Sequence, residues 1–139
     1  MVGSDICGFH LSTTNQLCSR WHQLGSLHPF ARNHNEIDSQ DQEPWVFGNE
    51  TLRTAKLSID FRYSILKQYY SIFVKNKGLG TIFRPLFFEF PNDEHAYIDQ
   101  VEEKQFLIGD LLMSTPILEF GTNLTHSYFP GTWFNLESG

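Results

Sequence analysis

The sequence predicts an α/β chain that changes character near residue 78, βα-like before it and all-β after it. Three observations carry this. A run from Glu50 to Lys77 holds no Gly or Pro and repeats apolar residues at helical spacing. Short extended segments flank a first, shorter helix before it. After Gly78-Leu79-Gly80 the chain turns to β-rich segments bounded by prolines.

Taken in order, Val2–Phe9 is a short strand entering a Gly-containing loop. Ser12-Thr13-Thr14-Asn15 offers several helix N-caps, because their side-chain oxygens can accept from the free amides of a first turn. A short helix then suits Gln16–Leu24, with Leu17, Trp21 and Leu24 on one face and Gly25 placed to end it. His28-Pro29-Phe30 is extended, since a residue before proline avoids the α region. Residues 31–48 are polar and loop-like, a long connection of the kind that often carries function. The long helix carries Leu52, Ala55, Ile59, Tyr63, Leu66, Tyr70 and Phe73 on its apolar stripe. In the second half, Thr81–Pro91 and Gln105–Leu118 read as strands, the latter turning at Gly109-Asp110. Tyr128–Phe134 reads as a hairpin about Pro130-Gly131.

Composition narrows the function. The chain is 40% hydrophobic and 19% charged, below the charged fraction of about 25% in average domains, so it can build a core. The net charge is −6, and the longest basic cluster is Lys75-Asn76-Lys77, which excludes a basic nucleic-acid footprint. No apolar run approaches the roughly 18 residues of a membrane span. Met1-Val-Gly-Ser-Asp has neither the basic start nor the apolar core of a signal peptide, so the targeting signal of a secreted parent is expected upstream.

The two cysteines, Cys7 and Cys18, are either a short-loop disulfide or two core thiols. Two glycosylation sequons, Asn49-Glu50-Thr51 and Asn123-Leu124-Thr125, favour an exported protein.

Three constellations could carry chemistry. His10, His22, His28 and His34 lie near Cys7 and Cys18 in sequence but lack the tight ligand pairs of a zinc site, so no metal is predicted. Asp5 could pair with Asp38, Asp41 or Glu43 as the two carboxylates of a glycosidase, though nothing in the spacing shows them converging. Arg32-Asn33-His34-Asn35 is a compact polar group after an extended segment. Side chains of that kind can hydrogen-bond vicinal hydroxyls.

These residues sit in longer motifs. Val2–Phe9, Leu17–Gly25 and Pro29–Asn35 together closely resemble a signature of glycoside hydrolase family 31, the family of the lysosomal and intestinal α-glucosidases. The resemblance continues through Gln42-Glu-Pro-Trp45, the Leu57–Tyr70 helix, Arg84–Pro91, Phe106–Leu112 and Tyr128–Phe134, nearly the whole chain. It implies that residues 1–78 are the last strands and final long helix of a (β/α)8 TIM barrel. Residues 79–139 would be the first strands of the β-sandwich that follows it.

The implied activity is that of a retaining exo-α-glucosidase, releasing glucose from terminal α-1,4 linkages of oligosaccharides. Its Asp nucleophile and Asp acid/base belong to motifs expected upstream of residue 1, so no residue here is assigned a catalytic role. The resemblance assigns His34 to the glucose hydroxyls, Phe9 to the pocket lining, and Asp5 and Arg32 to charged positions around it. It pairs Cys7 with Cys18, makes Asn49 and Asn123 candidate glycosylation sites, and calls for no cofactor. The implied partner is the remainder of the barrel, and the implied setting is the secretory pathway, lysosomal or extracellular. Leu27-His28 and Lys67 depart from the family pattern. A non-catalytic glycan-binding module on the same fold is the competing reading, and a free-standing β-rich structural protein ranks last.

Overall fold

A computed structural model describes residues 2–139. Two short parallel strands, β1 (Asp5–Ile6) and β2 (Arg32–Asn33), lie side by side with Asp5 opposite Arg32 and Ile6 opposite Asn33. Helix α1 (Asn15–Gly25) makes the crossover between them. Thr14 caps α1, its hydroxyl accepting from the Leu17 amide at 3.2 Å. The buried face of α1 is Cys18, His22 and Gly25, while Leu17 is exposed, so the predicted face is displaced by one position. Gly25 is the last helical residue, and a Cβ there would sit 2.4 Å from Ile6 Cγ1. The sequence reading makes Gly25 a stop; the structure uses its missing side chain to bring α1 onto β1.

A 3-10 turn (Pro44–Phe47) leads into α2 (Asn49–Lys75), one unbroken helix passing through Lys67. It ends where Gly78, at φ 76°, returns its amide to the Phe73 carbonyl. α2 fastens the connection between α1 and β2. Arg62 donates to the carbonyls of Ser26 and His28 at 2.6 Å each, and Tyr69 donates to that of Leu27 at 2.6 Å.

The second half is less purely β than the sequence suggests. β3 (Phe83–Pro85), β4 (Phe106–Ile108) and β5 (Leu112–Ser114) form an antiparallel sheet, with the expected turn at Gly109-Asp110. Leu86–Glu89, read as strand, is instead a helical turn (α3), and a 3-10 turn (Glu94–Tyr97) and α4 (Asp99–Glu102) follow it. Pro85 stops the strand and enters that turn as its N-cap, with ψ 157°, so Leu86 swings into a core with Ala96, Val101 and Leu107. Tyr128–Phe134 is irregular rather than a hairpin. Its aromatic residues are held singly, Tyr128 and Trp133 packing on that same core.

Two further clusters complete the interior. Leu27, Tyr69, Ile72, Ile82, Phe106 and Ile108 join α2 to the antiparallel sheet. Ile6, Cys7 and Cys18 pack with Trp21, Ala31 and Phe47 beneath β1 and β2.

Candidate sugar-binding site

Parallel pairing in register puts Asp5 and Arg32 on one face of the β1–β2 pair, and Ile6 and Asn33 on the other. On the first face, Arg32 Nε and Nη2 both donate to Asp5 Oδ1, at 2.9 and 2.5 Å. The guanidinium also lies 5.3 Å from the Phe30 ring centre. Asp5 is thus committed to an arginine. Asp38, Asp41 and Glu43 are exposed on the following loop, and the contacts of Asp5 run to Arg32 rather than to any of them. The structure does not assemble the carboxylate pair entertained from the sequence.

Beyond β1 the chain turns through Cys7 and Gly8, both at positive φ, and Gly8 returns its amide to the Asp5 carbonyl. This brings Phe9 back over His34, with ring centres 5.5 Å apart and planes tilted by 35°. Both rings are exposed, Phe9 at 39%. The four predicted residues therefore form two contacts, Asp5–Arg32 and Phe9–His34, at the C-terminal ends of adjacent parallel strands. Cys7 and Cys18 form a disulfide that ties the end of β1 to α1.

The histidines disperse. His34 meets Phe9, His10 meets Glu36 at 2.8 Å, and His28 lies edge-on to Phe83. His22 lies near the two cysteine sulfurs, but those sulfurs are bonded to each other and are not the thiolates that a metal takes. Burial lowers the pKa of both His22 and His28, and Arg62 adds to the effect at His28.

Sequence reasoning missed Gln42. It is 4% exposed, and its Nε2 faces the carbonyls of Ile6 and Gly8, at 3.2 Å each, and Asn33 Oδ1 at 3.0 Å. Asn33 Nδ2 donates back to the Gln42 carbonyl at 2.8 Å. One amide pair, buried at Gln42 and half-buried at Asn33, therefore joins β1, β2 and the loop between Asn33 and Gln42 behind the site. The resemblance runs through Gln42-Glu-Pro-Trp45 but gives Gln42 no role, and a glutamine in a polar loop has no pattern of its own that marks it as buried.

Of the sequon asparagines, Asn49 is exposed in the first turn of α2 and Asn123 is exposed in an irregular segment. Thr51, third in the first sequon, has its hydroxyl accepting from Ser19 at 3.0 Å.

Short parallel strands joined by a crossover helix, with polar and aromatic residues gathered at their C-terminal ends, describe a piece of a βα-barrel enzyme domain. Residues 1–72 match the TIM-barrel domain of glycosyl hydrolases family 31, and residues 80–139 match the C-terminal domain of that family. The chain belongs to glycosyl hydrolase family 31.

It is 49% identical over 120 residues to the lysosomal acid α-glucosidase of Tetrahymena pyriformis, a match covering 85% of this chain and 13% of that protein. It is 41% identical over 139 residues to the lysosomal α-glucosidase of Mus musculus, covering 99% of this chain and 14% of the relative. Among solved structures, the glucosidase II alpha subunit bound to Glc1Man2 superposes with a TM-score of 0.74 at 30% identity, covering 85% of this chain and 13% of that one. A family 31 dextranase of Flavobacterium johnsoniae complexed with glucose gives 0.76 at 29%, covering 86% and 15%. The chain thus spans about a seventh of the length of the curated relatives it matches. Among the described residues, no helix is long and apolar enough to cross a membrane.

Proposed function

We propose that this chain forms the C-terminal part of the catalytic barrel, and the start of the following β-sandwich domain, of a retaining exo-α-glucosidase acting on terminal α-1,4-linked glucose. The barrel part is residues 1–78 and the sandwich part 79–139. The observation that carries the reading is the pairing of Asp5–Arg32 with Phe9–His34 at neighbouring strand ends, in a chain whose relatives are named α-glucosidases over nearly its full length.

In this reading His34 hydrogen-bonds hydroxyls of the glucose in the cleaved subsite, and Phe9 lines the ring's apolar face. Arg32, fixed by Asp5, orients the polar rim. Hydrogen bonds of this kind strengthen as the sugar flattens towards its oxocarbenium-like state, and so favour the transition state over the ground state. On this reading the nucleophile and acid/base aspartates belong to other segments of the barrel. The disulfide, together with lysosomal names among the relatives, supports a secretory-pathway protein, lysosomal or extracellular, with Asn49 and Asn123 as glycan acceptors.

The test is His34→Ala in the full-length parent, assayed on maltose. A strengthened hydrogen bond contributes about 1.5–3 kcal/mol, so kcat/KM should fall about ten- to hundred-fold with thermal unfolding unchanged. A folded variant with parental kcat/KM removes His34 from the pocket. A parent that binds oligosaccharide without hydrolysing it would support the glycan-binding module instead.

A further inference from the structure

The pocket reading leaves unexplained how two exposed rings on two separate loops keep their places. Phe9 and His34 are not held by a core, and His10 and Leu11, which follow Phe9, are held even less. Leu11 is 80% exposed and sits at φ 64°, a left-handed conformation that residues with a side chain rarely adopt. Nothing packs on it that would keep it there.

Glu36, two residues beyond His34, contacts Phe9, His10 and Leu11 in turn. Its amide donates to the Phe9 carbonyl at 3.1 Å. Its Oε1 accepts from the Leu11 amide at 3.3 Å and from Ser39 Oγ at 3.2 Å, and its Oε2 meets His10 Nδ1 at 2.8 Å. Ser39 also returns its own amide to the Glu36 carbonyl at 3.1 Å, which fixes the carboxylate from its own side. The shortest of these contacts is the one to the His10 ring. The hydrogen bond with His10 does most to hold the Glu36 carboxyl below the usual carboxylate range, and the one from the Leu11 amide adds to that effect.

We propose that Glu36 is a positioning residue for the sugar pocket, a clasp that joins the loop after β1 to the loop after β2 and so sets the spacing of Phe9 against His34. This rests on the glucosidase reading above. Exposed polar contacts of this kind contribute little to global stability, so the effect belongs to geometry. The clasp removes freedom from the two groups that must meet one pyranose ring, and displacement of about 1 Å at such groups is costly to rate.

The experiment uses the full-length glucosidase with Glu36→Ala, Glu36→Gln and, as a control, Asp60→Ala, which removes the exposed Lys56–Asp60 pair on the outer part of α2. Kinetics on maltose are read beside hydrogen exchange of the peptide spanning Phe9–Leu11. Glu36→Ala should lower kcat/KM about ten-fold and speed exchange of that peptide about ten-fold, with the unfolding temperature of the parent. Glu36→Gln keeps an acceptor oxygen for Leu11 and Ser39 and should recover most of both, while Asp60→Ala should change neither.

Parental exchange in Glu36→Ala overturns the clasp. Faster exchange with parental kinetics overturns the positioning role. A parent inactive on every α-glucoside, whose Glu36→Ala variant still loosens residues 9–11, overturns the glucosidase reading and leaves the clasp as a purely structural device.

Discussion

Gln42 is where the local fold is most exposed to a single change. Its Nε2 carries two hydrogens and faces three oxygens, those of Ile6, Gly8 and Asn33. Gln42→Leu removes the donors with little change of volume. The Ile6 carbonyl is in the buried part of this network and would be stranded, at about 1–3 kcal/mol, while the partly buried Gly8 and Asn33 oxygens regain water and forfeit about 0.5 kcal/mol each. The sum is about 2–4 kcal/mol. At 1.4 kcal/mol per factor of ten, local opening of β1 should rise about thirty- to several-hundred-fold. Gln42→Glu has the same shape but turns an oxygen towards three oxygens, so it should open β1 further still. Native-state hydrogen exchange of the peptide spanning Ile6–Phe9 reads this directly in the parent protein, whatever the rest of the molecule does. The reasoning is refuted if Gln42→Glu is more protected than Gln42→Leu, because the ranking depends only on which atom faces the carbonyls.

Two further outcomes follow, one from burial and one from exposure. Burial pushes the Tyr69 phenol up to about 12, against an opposing pull from Arg62. A raised phenol pKa means stability that is present below the ordinary tyrosine value of about 10 and is lost as pH rises to about 12. Tyrosinate absorbance should therefore show a late step among the five tyrosines, diminished in Tyr69→Phe, where only Tyr128, raised by its hydrogen bond to Asp93, still lags; its absence from the folded parent would contradict the burial. Residues 1–139 purified alone should aggregate and leave aryl α-glucosides intact, since Ile59, Tyr63, Leu66 and Tyr70 are 44%, 71%, 42% and 73% exposed. A monomer with a cooperative thermal transition would count decisively against this.

Periodic and punctuated features were legible in the sequence. Both long helices were placed within two residues of their observed ends, because Thr14 and Gly78 punctuate them and their apolar spacing is regular. The turn at Gly109-Asp110 was legible for the same reason. The faces were legible only in part: α1 buries Cys18, His22 and Gly25, and α2 buries Ala55 and packs Phe73 on the core as expected but also buries Thr51 and Ser58; close approach of backbones selects small or polar residues that a hydrophobic pattern skips. Leu86–Glu89 carries the phenylalanines of a strand, and only the proline before it hints at a change of direction. At the site, the resemblance supplied Asp5, Phe9, Arg32 and His34, while Gln42 and Glu36 act through carbonyls and amides whose neighbours are set by the fold.

The exposed part of the α2 stripe has a physical meaning of its own. Ile59, Tyr63 and Leu66 do not face the antiparallel sheet; they border a groove of about 440 Å³ shared with Ile6, Ala31 and His22. A two-residue parallel pair is not stable alone, because parallel sheets occur with both faces covered and with further strands on each side. His22 makes the same point through chemistry. It is 5% exposed and its Nε2 has no hydrogen-bond partner among the described residues, a state that folded proteins seldom leave unanswered. On the proposed reading both are answered together, since further barrel strands beside β1 and β2 would cover the apolar stripe and bring a polar group to His22. The hydrophobic period of α2 therefore records two surfaces. One is the surface that Tyr69 and Ile72 bury against the antiparallel sheet, and the other is the surface that Ile59, Tyr63 and Leu66 hold ready for the rest of the barrel.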